Sequence, residues 1–326
     1  MRRLLLTAAV ATAAALTLTA CGTTEPAKDD AKKSAEPITL TDDTGAKVEL
    51  DGPAKKVVGT EWNVVETLIS LGVDPVGVAD VKGYKTWDTA VPLKNDPKDI
   101  GTRGEPSVET IAALKPDLIV ATSDLPAAAV KQLRGIAPVL NLTAADAADP
   151  IGRMTKNLDA IAKATGTTEQ ADKLKKGFEA KLAEGKKALA DAGLGGAKYA
   201  FADGYLVSNQ VSIRPFTSGS LIGAVNEKLG LKNAWTVKGD PAYGLGTTDV
   251  EGLTQLGEGV QFAHISNDGD PSSNPFEGAL AKDKVWTSLP FVKKGDVHRL
   301  PDGIWMFGGP ESMNQYVDSV VKALTK

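Results

Sequence analysis

Two arginines and a set of loop aromatics carry most of the chemical interest of this 326-residue chain. Arg103 lies in the glycine-flanked loop Gly101-Thr102-Arg103-Gly104, and Arg214 in Ser212-Ile213-Arg214-Pro215 at a strand end. Trp62 and Trp87 follow expected strands, with Tyr84 in the same loop as Trp87, and Trp235, Tyr243, Trp305 and Phe307 occupy loops further on. In open α/β sheets ligands gather outside the carboxyl ends of strands, so such residues are candidates for a pocket wall. Each Trp would serve equally well as a plug of its own core. The chemistry on offer is binding. The chain has no Gly-x-Ser-x-Gly, no HExxH and no glycine-rich phosphate loop. His264-Ile265-Ser266 is the nearest approach to a secreted hydrolase, the remote enzyme alternative, and no recognised nucleophile arrangement surrounds it. Two histidines and one cysteine leave little room for a protein-built transition-metal site and exclude an internal disulfide. A net charge of −4 opposes nucleic-acid binding.

A helix-and-strand pattern occurs twice. Ser107 caps a short helix with Glu109 in its first turn, Lys115-Pro116 stops it, and Leu118-Ile119-Val120 reads as a buried strand. Asp249 to Leu256 matches Ser107 to Leu114 in register, Glu251 pairs with Glu109, and Val260 to Ala263 stands where the strand stood. One device used twice predicts two similar lobes. Only the first copy has an arginine ahead of its glutamate.

The ends of the chain differ from its body. Arg2 and Arg3 precede an uncharged stretch, Leu4 to Ala20, too short for a comfortable membrane span and well suited to a signal peptide over residues 1–20. Leu18-Thr19-Ala20-Cys21 resembles the lipobox of bacterial lipoproteins, which implies acylation of Cys21 as the new N-terminus. Gly22 to Pro37 is polar and aperiodic, so residues 21–37 are expected to be a lipidated cysteine and flexible tether reaching roughly 50 Å.

Strands and helices alternate across residues 38–149, opening with the hairpin signal Asp42-Asp43-Thr44-Gly45. Asn63 to Glu66 reads as a capping box opening a helix that ends at Gly72. From Asp149 the apolar spacing turns helical, with Gly166 as its stop, so residues 150–165 form an interdomain helix. A Lys/Glu-rich helix follows, and alternation resumes through residues 166–326 to a closing helix from about Pro310 to Leu324. The fold class expected is α/β: two mainly parallel-sheet lobes joined by a single long helix, which permits only small changes of lobe angle.

Together these parts resemble the substrate-binding lipoproteins of bacterial ABC importers, in the helical-backbone periplasmic-binding-protein class. The local likeness is to the ferric-hydroxamate siderophore-binding members. It lies in Glu61-Trp62 with Glu66, Gly77-Val78-Ala79-Asp80, Tyr84-Lys85-Thr86-Trp87, Gly101-Thr102-Arg103-Gly104-Glu105-Pro106, Asn233-Ala234-Trp235 and Ile304-Trp305-Met306-Phe307-Gly308. The resemblance implies that Arg103 donates to hydroxamate oxygens while Trp62, Trp87, Trp235 and Trp305 wall the linkers. Such a ligand fills the coordination of Fe³⁺ itself and needs from the protein a donor fork and flat apolar surfaces. The chain is then no enzyme, has no cofactor, and takes a Fe³⁺-siderophore as cargo. Exposed Glu109 and Glu251 would dock a permease dimer driven by its ATPase. The protein would act as a monomer on the extracytoplasmic face of the cell membrane, anchored at Cys21. Two family tyrosines are absent: one position falls in Thr122-Ser123-Asp124-Leu125, the other is Phe307. Tyr84, Tyr243 or Arg214 could replace them. The siderophore's identity stays open, and haem, a corrinoid or another chelate remains the alternative ligand.

Overall fold

The computed structural model describes residues 36–208 and 210–326. The signal stretch, Cys21 and nearly all of the tether lie outside the described residues. Among the described residues no helix is long and apolar enough to cross a membrane.

The chain opens with a hairpin, β1 (Ile38–Thr41) and β2 (Lys47–Leu50), whose turn is held by Asp42 accepting from the backbone N–H groups of Thr44 and Ala46. It continues through β3 (Val57–Gly59), α1 (Trp62–Ser70), β4 (Gly77–Val78), α2 (Val81–Trp87), β5 (Lys98–Asp99), α3 (Val108–Leu114), β6 (Leu118–Thr122), α4 (Ala127–Leu133) and β7 (Val139–Leu142). These five later strands form a parallel sheet in the order β5-β4-β3-β6-β7. The apolar runs are buried on both faces, as a helix-covered parallel sheet requires. Val57, Leu118 and Val120 enter one core, and Val58, Ile119 and Ala121 enter the other. That alternation is the two-residue period of a strand.

Then come α5 (Pro150–Thr165) and α6 (Thr168–Asp191). The side chain of Asp149 caps α5 by accepting from Gly152 N–H at 3.0 Å, Pro150 occupies its first turn, and Gly166 ends it at φ 71°. Met154 of α5 packs in the core of the second lobe, and Leu158, Ile161 and Ala162 in that of the first. Ala171 and Leu174, at the start of α6, also belong to the first core. A boundary at residue 166 therefore cuts through that core.

The second lobe contains β8 (Lys198–Val207), β9 (Gln210–Pro215), α7 (Leu221–Lys228), β10 (Lys232–Asn233), β11 (Val260–His264), α8 (Lys284–Ser288), α9 (Pro290–Lys294), β12 (Val297–Arg299) and α10 (Pro310–Leu324). Its sheet runs β10-β8-β11-β12 in parallel, and the outer half of β8 pairs with β9 antiparallel. The fold is thus the α/β pair of parallel-sheet lobes on one connecting helix.

Three local expectations fail. The segment with Tyr84 and Trp87 is helix α2, not a loop, because Asp80, left-handed at φ 50°, caps it by accepting from Gly83 N–H. Asn63 does not open a capping box: Glu61 is the N-cap of α1, and Glu66 turns inward, away from its own helix end. The second copy of the repeated device is a 3₁₀ turn, Gly252–Leu256, where the first is an α-helix. Gly252 weakens helix propensity there, and Gly257 ends the turn at φ 69°.

Candidate functional site

The first-lobe strand order reverses direction between β3 and β6, making their carboxyl ends a topological switch point. Glu61 and Trp62 follow β3 there, and Asp124 follows β6. Arg103 follows β5, in a loop closed by a bridge between Gly101 and Pro106. These residues line a cavity of about 610 Å³ together with Trp87, Tyr205, Arg214, Tyr243, Leu245, Trp305 and Phe307. The lining draws on both lobes, so the cavity is the cleft between them.

Arg103 is the best-positioned cation. Its guanidinium carbon sits 4.0 Å from the Trp62 ring centroid and 5.3 Å from that of Trp305. Its Nη1 donates to Glu61 Oε1 at 2.8 Å, its one side-chain hydrogen bond among the described residues. Burial pushes the Glu61 carboxyl up, opposed by the Arg103 charge beside it. Four further N–H donors of the guanidinium stay available to oxygen atoms in the cleft.

Aromatic rings run on from this point. Trp62 and Trp305 meet edge-on at 4.7 Å, Trp305 and Phe307 at 5.1 Å, and Phe307 and Tyr243 at 5.4 Å. Trp62 is fixed from behind, because its Nε1 donates to Ala79 O and its ring abuts Gly83, where an added Cβ would come within 2.3 Å of it. Arg214 stands on the second-lobe side over the rings of Tyr205, Phe216 and Phe307, with its charge already spent on buried Asp203 through two hydrogen bonds. Tyr243 reaches across the cleft and donates its hydroxyl to Asp124 Oδ2.

Two expected wall residues lie elsewhere. Tyr84 is fully buried in α2 and donates its hydroxyl to Val91 O at 2.6 Å, since that face of the helix packs on Val65 and Ile69. Trp235 leans into its own lobe's core against Phe262, its Nε1 satisfied by Phe201 O at 2.8 Å. Asn63, Tyr205 and Leu245 line the cleft without having been given a binding role from sequence, while Glu61 had entered only within the Glu61-Trp62 motif and Asp124 only in the loop where a family tyrosine is absent. For Glu61 and Asp124 the available signal was their place just past strands β3 and β6. Glu109 and Glu251 are both exposed and outside the cleft lining. His264 and Ser266 are buried in the second lobe, also outside that lining, and burial lowers the His264 pKa to about 4. Among the described residues no cluster of His, Cys, Asp or Glu could hold a metal ion.

The lobes are tied together behind the aromatic wall. Glu66, wholly buried in α1, accepts from Ser312 N–H at 3.0 Å and from Ser312 Oγ at 2.8 Å, so it caps α10 from the opposite lobe. Gly308 lets it approach, since an added Cβ would lie 2.2 Å from Glu66 Oε2. Asp88, equally buried, faces Glu66, and burial with that neighbouring charge raises its pKa strongly. Thr89 donates its N–H and Oγ1 to Gly303 O, and Asn267 Nδ2 donates to Thr86 O.

A two-lobed α/β frame on one helix, with an aromatic cleft between the lobes, is the architecture of a ligand-binding protein of the helical-backbone kind. A family profile described as periplasmic binding protein matches residues 57–303, and the chain belongs to that family. It is 28% identical over 311 residues, 95% of this chain and 93% of the relative, to a protein of Bacillus subtilis (strain 168) named Fe(3+)-citrate-binding protein YfmC. It is 26% identical over 265 residues, 80% and 84% of the two chains, to the iron(3+)-hydroxamate-binding protein FhuD of Escherichia coli (strain K12). Among solved structures, FhuD of Vibrio cholerae with bound Fe³⁺-Desferal superposes with a TM-score of 0.72 at 26% identity, covering 83% of this chain and 98% of that one. FeuA of Bacillus subtilis, with ferri-bacillibactin, shares the fold at a TM-score of 0.71 and 19% identity, over 88% and 98% of the chains.

Proposed function

We propose that this chain is an extracytoplasmic binding protein that captures a ferric chelate of the hydroxamate type and delivers it to an ABC importer. The observation that carries the reading is Arg103, held on Trp62 with donors to spare and facing an aromatic cleft between the lobes. A chelate whose iron is already saturated offers partly negative oxygens to such a fork and aliphatic linkers to such walls. The relatives named for hydroxamate and citrate chelates support the wider class. Trp62, Trp87 and Trp305 are the contact surfaces in this reading, with Phe307, Tyr243 and Arg214 opposite. Anchorage through acylated Cys21 belongs to the same proposal.

Titration of intrinsic tryptophan fluorescence tests it. Ferric tris-hydroxamates should quench at micromolar concentrations or below, because a coloured iron complex would lie against three tryptophans. Absence of quenching by every hydroxamate in a panel overturns the reading.

Glu109 and Glu251 serve as the permease contacts in this proposal, one per lobe. Reversing both charges, Glu109→Lys with Glu251→Lys, should abolish chelate uptake in cells while the purified protein still titrates with ligand. Uptake at the wild-type rate would remove both glutamates from that role.

A further inference from the structure

The charges inside the cleft do not fit an anionic cargo. Arg103 is already bonded to Glu61, and Arg214 to buried Asp203. The second acid of the lining, Asp124, has no cation within salt-bridging distance among the described residues. It is exposed on the loop after β6, and its Oδ2 accepts from Tyr243 across the cleft. Its Oδ1 has no hydrogen bond from the described residues, and no lysine lines the cavity. Two guanidiniums therefore face three carboxyl groups counting Asp203, and the unmatched one stands at the rim where the two lobes meet. Charge at this rim would act through partly exposed, screened contacts, so its effect is a preference between ligands.

Building on the hydroxamate reading, we infer that Asp124 is a specificity-determining residue that makes the cleft favour ferric chelates carrying a pendant cation over neutral ones, and neutral ones over anionic ones. A linear tris-hydroxamate ending in a primary ammonium is the matching class. Its iron-hydroxamate centre is neutral, its oxygens face Arg103, and its ammonium reaches the free Asp124 oxygen at the rim. A tris-catecholate or citrate complex brings net negative charge and meets Glu61 and Asp124 as well as the two arginines.

The test compares ferrioxamine B with its N-acetylated derivative, which differ by that one ammonium charge, in fluorescence titrations at low salt. The wild-type protein should bind the ammonium form about fivefold more tightly. In Asp124→Asn the ratio of the two affinities should fall to about one. Tyr243→Phe removes the cross-cleft hydrogen bond and keeps the carboxyl group, so it should retain the preference. A ratio near one in the wild type, or an equal ratio in wild type and Asp124→Asn, overturns the inference and leaves the hydroxamate reading standing. Failure of both chelates to bind the wild type overturns the two together. Asp124 lies on an exposed loop, and thermal scans of each variant will show that the fold is kept.

Discussion

Arg103→Ala should weaken binding of a ferric tris-hydroxamate by roughly 30- to 100-fold. The estimate follows from charge-assisted hydrogen bonds to ligand oxygens at about 1.5–3 kcal/mol and a tenfold change in affinity per about 1.4 kcal/mol. The substitution does more than delete donors. It uncovers the Trp62 face on which the guanidinium rests at 4.0 Å, and it leaves the buried Glu61 without its counter-charge. Arg103→Lys keeps the charge and loses the planar fork, so it should fall between wild type and alanine. Fluorescence titration of the three proteins measures this order. An alanine variant within twofold of wild type would place the ligand away from Arg103 and require another donor in the cleft, with Arg214 next in position.

The second large effect concerns Glu66 and Asp88. Glu66→Ala removes the acceptor for both Ser312 donors in a site without water access and uncaps α10, which should lower stability by about 3 kcal/mol. Asp88→Asn should act in the opposite direction at neutral pH. Burial and the adjacent Glu66 charge raise the Asp88 pKa in the folded protein, while the unfolded chain has the ordinary value of about 3.9. The folded state therefore binds the extra proton, and this contribution to stability is complete below about pH 4 and is lost progressively as pH rises above it. Asparagine needs no proton to remain neutral there. Thermal unfolding followed from pH 4 to 8 should show Asp88→Asn gaining on wild type steadily with pH. Parallel pH profiles for the two proteins would mean that Asp88 ionises freely in the fold.

The sequence and the structure agree best where the signal is local. The hairpin at Asp42–Gly45, the capped start of α5 at Asp149-Pro150 and its stop at Gly166 all follow from turn and cap chemistry that a few adjacent residues determine. Arg103 was placed at the ligand by the family likeness of Gly101 to Pro106, and the short strand β5 ahead of it, which brings that loop to the carboxyl ends of the sheet, went unread in the sequence. Direction of side chains was less legible. Tyr84 and Trp87 lie three positions apart on one short helix, yet one is sealed behind the wall and the other forms part of it. Trp235 follows its strand as Trp62 does, but the Phe201 carbonyl holds it inward. Glu66 was the clearest miss. An Asn-x-x-Glu spacing has the form of a capping box, and nothing near it in the chain discloses that its partner is Ser312, 246 positions later.

The sharing of α5 between two cores bears on the order in which the chain can fold as it is made. The first core includes Leu158 and Ile161 of α5 and reaches Leu174 in α6, so the first lobe cannot close when residue 149 has emerged. It must wait for some 25 residues more, with the apolar faces of β3 and β6 uncovered until then. Met154 has emerged by that time and Phe178 follows on the next turn of α6, so together they present the seed of the second core, which is finished only when α10 packs on α6. Glu66 remains an unmatched buried acid until that last helix brings Ser312 to it. The connecting helix is therefore a template on which one lobe is completed and the next begun, and the final helix joins the two by its N-terminus.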